Sequence, residues 1–315
     1  MPDETDPGQQ SASPVTAGDG GVSDAAGGRS PGRWGRTERK RLVVWLAIGF
    51  LVPLPVMLAF GIPIAPHDNV LTIPRELRFQ GIGAVFVLLA TWIVSRMERR
   101  PLADYGAPPR QAFGRRFLEG LVWGFATLSA VLLILHLLGD FQADSQTPGG
   151  PALIEYGLGW GVVFMVVALH EEFAFRGYLL FTFSKRLGFW RAALILSLLF
   201  AVAHIPNPGE TPLGILHVLM IGVLWCLTIR RTGTLWFAVG YHAAWDWAET
   251  FFYGTPDSGL LGVGRFLTTS VHGPGWVTGG SAGPEGSVIT VGVLLIVALL
   301  VHLRFPTQIY PDRPA

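Results

Sequence analysis

A chain of 315 residues that is 50% hydrophobic and only 14% charged, with a mean hydropathy of +0.44, is too apolar for a water-soluble domain. Its net charge of +1 gives no basis for nucleic-acid binding, and its single cysteine, Cys226, excludes an intrachain disulfide and a cysteine-based metal cluster. The apolar residues fall in blocks long enough to cross a bilayer, so the fold class is all-α: a polytopic membrane protein of about eight transmembrane helices, with the lipid bilayer as its first partner.

Residues 1 to about 36 are rich in Gly, Ser, Pro and Asp and nearly devoid of large aliphatics, which predicts a disordered cytoplasmic tail and not a signal peptide. A multi-span domain follows over residues 37–304, opened by a basic cluster that includes Arg36, Arg39, Lys40 and Arg41. Its first apolar block is Leu42 to Ile62, the second about Gly81 to Ser95, and the third Phe117 to Leu138. The fourth begins near Ala152; the others are Phe189 to Ile205, Leu213 to Ile229, Leu235 to Phe252 and Val288 to Leu303. A Gly- and Pro-rich loop, Gly254 to Gly286, separates the last two, and residues 305–315 form a short tail.

The loop charges support this division. Arg96, Arg99, Arg100, Arg110, Arg115 and Arg116 lie between the second and third blocks; Lys185, Arg186 and Arg191 lie between the fourth and fifth; Arg230 and Arg231 lie between the sixth and seventh. The alternate loops are poor in base: 139–150 and 206–212 have none and 254–286 only Arg265, with Arg75 and Arg78 as the exception in the first. By the positive-inside rule both termini are cytoplasmic. Arginine exceeds lysine, and Gly, Ala and Pro are abundant, as in GC-rich bacterial genomes; the expected location is the bacterial cytoplasmic membrane.

Within the fourth block two adjacent carboxylates, Glu171 and Glu172, interrupt an aliphatic and aromatic run. Ionised groups at membrane depth are costly unless paired or functional. Arg176, four residues after Glu172, shares its helix face and can neutralise it; Glu171 has no such local partner. Later blocks carry Phe200 and His204, and His242 and Asp246, each pair again at i,i+4. Glu171 lies 14 positions from Lys185, His204 13 from Arg191 and His242 11 from Arg231. At a helical rise of about 1.5 Å per residue these are depths of about 21, 20 and 17 Å, one level near the bilayer midplane. The fourth segment is then some 35 residues long, and must overshoot, tilt or break near Gly157, Gly159 and Gly161. His136, His217 and His302 read as interhelical hydrogen-bonding groups and receive no role.

One carboxylate and two imidazoles at a common depth make a hydrolytic constellation. A desolvated carboxylate serves as a general base, and imidazoles position water or donate to an oxyanion. The same Glu171, His204 and His242 also suit a catalytic Zn²⁺ with an open position for water, so both readings stand on the residues alone.

The three motifs, Glu171-Glu172-x-x-x-Arg176, Phe200-x-x-x-His204 and His242-x-x-x-Asp246, together with Phe175-Arg176-Gly177-Tyr178-Leu179, resemble the signatures of the CPBP intramembrane proteases. That family joins the type II CAAX prenyl endopeptidases to bacteriocin-processing and abortive-infection-like proteins. The resemblance covers about residues 150–250. It implies that Glu171 is the general base, that His204 helps activate water, and that His242 and Asp246 lie at the oxyanion. It further implies that Arg176 orders the site by pairing with Glu172, with Phe200 packed beside it. The third motif often ends in Asn; an ionised Asp246 is acceptor-only and cannot donate to an oxyanion, so either it is protonated or it orients His242. The expected activity is cleavage of a peptide or membrane-protein substrate in a water-accessible cavity facing the cytoplasm. The competing reading from another class is a non-proteolytic scaffold or transporter-associated protein. A transporter is expected to show two related halves with matching broken helices, and no such repeat is visible.

Overall fold

The computed structural model describes residues 34–63, 68–146 and 150–310. Most of the expected N-terminal tail, residues 1–33, and the last five residues of the C-terminal one lie outside that range. Helix α1 (Arg36–Leu46) passes through a π-helical turn, Ala47–Leu51, into α2 (Pro53–Ala59). Then follow α3 (Ile73–Glu98), α4 (Arg115–Leu137), α5 (Pro151–Phe175), α6 (Tyr178–Leu187), α7 (Phe189–His204) and α8 (Pro212–Thr232). Helix α9 (Trp236–Trp247) ends in a second π-helical turn, Ala248–Tyr253; the short α10 (Gly275–Thr278) and α11 (Val288–Arg304) close the chain.

Five segments among the described residues are long and apolar enough to cross a membrane: Arg36–Ala59, Ile73–Glu98, Arg115–Leu137, Pro151–Leu187 and Pro212–Thr232. Helices α7 and α11 are shorter but apolar. Helix α9 carries more polar groups because it faces protein and not lipid: every residue from Trp236 to Asp246 is buried. It is clamped to α4 by small residues. A Cβ on Gly124 of α4 would collide with the carbonyl oxygen of Tyr241, and one on Gly240 of α9 with that of Phe117. Gly120 and Gly124 are spaced four apart, the arrangement that lets membrane helices touch backbone to backbone.

The long fourth segment does break, but not at the glycines 157, 159 and 161. Helix α5 runs unbroken through them and stops after Phe175, where Arg176 and Gly177 leave the regular helical conformation with φ/ψ of −115/−1° and −82/−124°. The break thus falls directly after the paired carboxylates. It lets α6 turn away to the basic end of the bundle.

Four short strands, β1 (Val70–Leu71), β2 (Phe141–Gln146), β3 (Leu261–Gly262) and β4 (Leu267–Val271), occur in segments read from sequence only as loops. β1 pairs parallel with β3, and β2 antiparallel with β4 in a register from Phe141↔Val271 to Gln146↔Leu267. These ladders gather the base-poor loops on one face. On the opposite face the amide of Leu235 donates to Gly106 O at 2.7 Å, Arg231 Nη1 donates to Pro306 O at 2.8 Å, and Arg186 pairs with Glu38. The alternation of loop charge along the sequence is therefore a real division into two faces.

Candidate active site

Helices α5, α7 and α9 bring Glu171, His204, His242 and Asp246 to the wall of one cavity of about 570 Å³, with Glu76 and Gln80 of α3 opposite. The two neighbouring glutamates have different surroundings. Glu171 is 17% exposed and borders the cavity, with Oε2 at 3.7 Å from His242 Nε2. Glu172, one residue on and so about 100° around the helix, is fully buried.

Arg176 Nη1 donates to Glu172 Oε1 at 2.7 Å, and neither side chain is exposed. The guanidinium lies 4.2 Å from the Phe200 ring centre and 5.0 Å from that of Trp225, so aromatic faces replace the water it has lost. Space for it exists because α8 carries Gly222; a Cβ there would stand 2.6 Å from Arg176 Nη2. Trp225, in turn, stacks on His242 at 4.3 Å and 21°.

His242 is bracketed by carboxylates. Its Nδ1 lies 3.1 Å from Glu172 Oε1 and its Nε2 3.2 Å from Asp246 Oδ2. Ionised carboxylates only accept, so each ring nitrogen facing one is a donor. His204 differs. Its Nδ1 lies 2.9 Å from the carbonyl oxygen of Phe200, which also only accepts, so that nitrogen carries a proton and Nε2 is the acceptor of the neutral ring. The i,i+4 spacing of Phe200 and His204 thus has a second use beyond sharing a face: it fixes the tautomer. The Phe200 ring meets the His204 ring edge-on at 4.6 Å.

Sequence reasoning did not single out Gln80, Glu76 or Trp225. Gln80 Oε1 lies 2.7 Å from Nδ1 of His170, just before the carboxylates, and holds α3 against α5. A hydrophobic Trp in an apolar helix carries no mark of its contact with a buried cation. Of the histidines given no role, His136 contacts Phe141 O at 3.0 Å and His302 contacts Arg231 at 2.6 Å, while neither ring nitrogen of the buried His217 has a hydrogen-bond partner among the described residues.

The cavity does not run toward the basic face. Where its lining leaves the main helices it includes Pro63, Leu71, Pro206, Asn207, Asp257, Ser258, Leu260 and Glu285, all on the base-poor side. Among the described residues, none of the lining comes from the connections 99–114, 185–191 or 230–235. Cytoplasmic termini and a cytoplasm-facing cavity were both expected from sequence; the non-helical part of the cavity lining belongs to the base-poor loops, on the face opposite the described chain ends.

Residues 154–248 match the model of a family described as Rce1-like, Type II CAAX prenyl endopeptidase Rce1-like. The matched stretch holds the site residues of α5, α7 and α9. The protein called "Uncharacterized protein YyaK" of Bacillus subtilis (strain 168) is 25% identical over 201 residues, 61% of this chain and 66% of that protein. The chain therefore spans slightly under two thirds of the length of that relative.

Proposed function

We propose, from the premise that this chain is a hydrolase of the Rce1-like CAAX protease family embedded in the membrane, that Glu171 is the general base of an intramembrane endopeptidase. The observation that carries the reading is the unequal environment of the two glutamates. Glu172 is spent on Arg176 and His242, whereas Glu171 has no cationic side chain of its own and faces the cavity beside His204 and His242.

In this mechanism a water between Glu171 and His204 gives its proton to the Glu171 carboxylate as its oxygen attacks the peptide carbonyl. Nε2 of His204, left as an acceptor by the Phe200 bond, orients the second hydrogen of that water. The oxyanion forms near His242, whose single Nε2 proton rests on Asp246 at 3.2 Å and is shared with the oxyanion as charge develops there. Asp246, as an acceptor, holds the ring and does not itself donate, which reconciles Asp at this position with the role implied by the motif. The proton held by Glu171 then passes to the leaving amine. Glu172 and Arg176 are positioning residues.

The zinc alternative has less support from the donors. A ligating imidazole offers a lone pair to the metal, yet both nitrogens of His242 face carboxylates at 3.1 and 3.2 Å. Among the described residues, Glu171, His204 and His242 do not form a group of ligand atoms mutually within 4.8 Å.

The base-rich face is read as cytoplasmic, so both termini are inside and the cavity opens to the outer side of a bacterial cytoplasmic membrane. Substrates are then peptides or membrane-protein segments reaching the site from that side. The test is turnover by the purified protein in detergent against a mixed peptide substrate. Glu171→Gln keeps the shape and removes the base, and is expected to lower turnover by roughly 10²–10⁴-fold with unchanged folding. Turnover equal to the wild type would overturn the mechanism.

A further inference from the structure

At the base-poor end of the same cavity, three carboxyl groups meet that the hydrolytic mechanism does not use; Asp257 and Glu285 line the cavity wall and Glu249 lies behind them. Glu249 lies in the π-helical turn that ends α9, Asp257 in the following loop, and Glu285 in a 3₁₀ turn (Pro284–Gly286) just before α11. One carboxylate oxygen from each lies within 4.8 Å of the other two.

Two members are held by neutral donors. Thr250 Oγ1 donates to Asp257 Oδ2 at 3.0 Å. Glu285 Oε2 accepts from Ser258 N at 3.0 Å and Ser258 Oγ at 2.6 Å, and its Oε1 from Trp245 Nε1 at 3.2 Å. Glu249 is fully buried; the nearest donor is the Trp245 indole N–H, which is directed at Glu285 at 3.2 Å, so neither Glu249 oxygen has a hydrogen bond of good geometry among the described residues. No lysine or arginine among the described residues forms an ion pair with any of the three. A second buried polar side chain points the same way. His217 of α8 is 0% exposed, has no hydrogen bond to either ring nitrogen, and directs Nδ1 at Glu285 Oε1 from 3.5 Å.

Three acids, Glu249 and Glu285 buried and Asp257 half-buried at the cavity wall, are incomplete without a counter-charge. Protonation of Glu249 lowers the charge and adds one O–H donor, but leaves its other oxygen without a contact. A hard cation supplies both the counter-charge and the contact. Calcium takes six to eight oxygen ligands at about 2.3–2.6 Å in flexible geometry, whereas magnesium demands a near-ideal octahedron at about 2.0–2.1 Å, which an irregular set of carboxylates from a helix end and a loop meets less readily.

We propose that Glu249, Asp257 and Glu285 bind one divalent cation of calcium size, with His217 behind Glu285 and outside the ligand set. This site is separate from Glu171 and does not depend on the protease reading. Bound there, the ion clips the 254–287 loop to the end of α9 and fixes Trp245, the neighbour of Asp246. Ligand carboxyls must release their protons to bind, so affinity rises with pH.

The test uses the full chain, purified in detergent and stripped with a chelator. Tb³⁺ is titrated in, and its luminescence is read on excitation of tryptophan, Trp245 being within hydrogen-bond distance of a ligand. The expected result is a saturable signal at one ion per chain, displaced by Ca²⁺ and reduced at least tenfold in Glu249→Gln and in Asp257→Asn. In parallel, Ca²⁺ should raise the melting temperature of the wild type and leave that of Glu249→Gln unchanged. That variant removes a buried charge and is expected to fold. Absence of a saturable signal in folded wild type, or a signal unaltered by both substitutions, overturns the proposal.

Discussion

Removing either member of the Glu172–Arg176 pair tests whether these residues act by holding the site together. The contact is 2.7 Å long between two side chains with no exposure, so water does not replace a lost partner. Breaking such a pair from one side costs about 3–5 kcal/mol, mostly because a buried charge is left uncompensated, whereas replacing both sides with apolar groups of similar volume is often neutral or stabilising. The Phe200 and Trp225 faces at 4.2 and 5.0 Å cushion the cation in every variant that keeps it. Glu172→Gln and Arg176→Met alone should therefore each destabilise by about 3–5 kcal/mol, and the double variant by less than either. At about 2–4 °C per kcal/mol for chains approaching this size, the single variants melt about 6–20 °C lower. Tryptophan fluorescence of the detergent-solubilised protein reads the transition. Glu172 Oε1 also accepts from His242 Nδ1, so Glu172→Gln should shift the pH profile of turnover beyond what Arg176→Met does. If both single variants melt with the wild type and are inactive, the pair does not act by stabilisation, and a direct part in the chemistry is required.

Gly222→Ala sets a methyl 2.6 Å from Arg176 Nη2 and 3.0 Å from Ser197, so it should cost about 1–3 kcal/mol by overpacking and lower turnover; unchanged melting and activity would contradict the packing argument. Burial first, and the charge of Glu285 second, raise the Glu210 carboxyl from 4.5 to about 7. A raised acid favours the folded state below its unfolded value, so its contribution is present below 4.5 and lost as the pH rises to about 7; Glu210→Gln should flatten the pH dependence of melting across that window. Cys226 is buried, so new cysteines can be labelled in intact cells against a silent background: Asn207→Cys should react with an impermeant thiol reagent from outside and Arg110→Cys only after lysis, and the reverse pattern would invert the orientation.

The apolar blocks were legible in the sequence because a bilayer sets one length scale for every crossing, and the helices found lie within a few residues of them for α4, α7, α8 and α11. Glu171, Glu172 and Arg176 could be recognised because charge in hydrocarbon is costly, and His204 and His242 because the distances back to basic loops put them at one depth. Those are local properties, fixed by neighbours along the chain. What sequence could not supply was decided by contacts across it. The division of labour between Glu171 and Glu172 depends on His242, 70 positions on, and on Trp225 and Gly222 of another helix. The break after Phe175 follows no proline. The cavity mouth depends on which loops the β1–β3 and β2–β4 ladders gather, pairings that join Val70 to Leu261 and Phe141 to Val271. Glu249, Asp257 and Glu285 looked like scattered acids at a helix end and in a Gly- and Pro-rich loop; only the return of that loop over the end of α9 brings their oxygens within 4.8 Å. Helix formation and membrane insertion are governed by the free energy of each segment, whereas a polar site is governed by which segments cross, and that is settled only when the bundle packs.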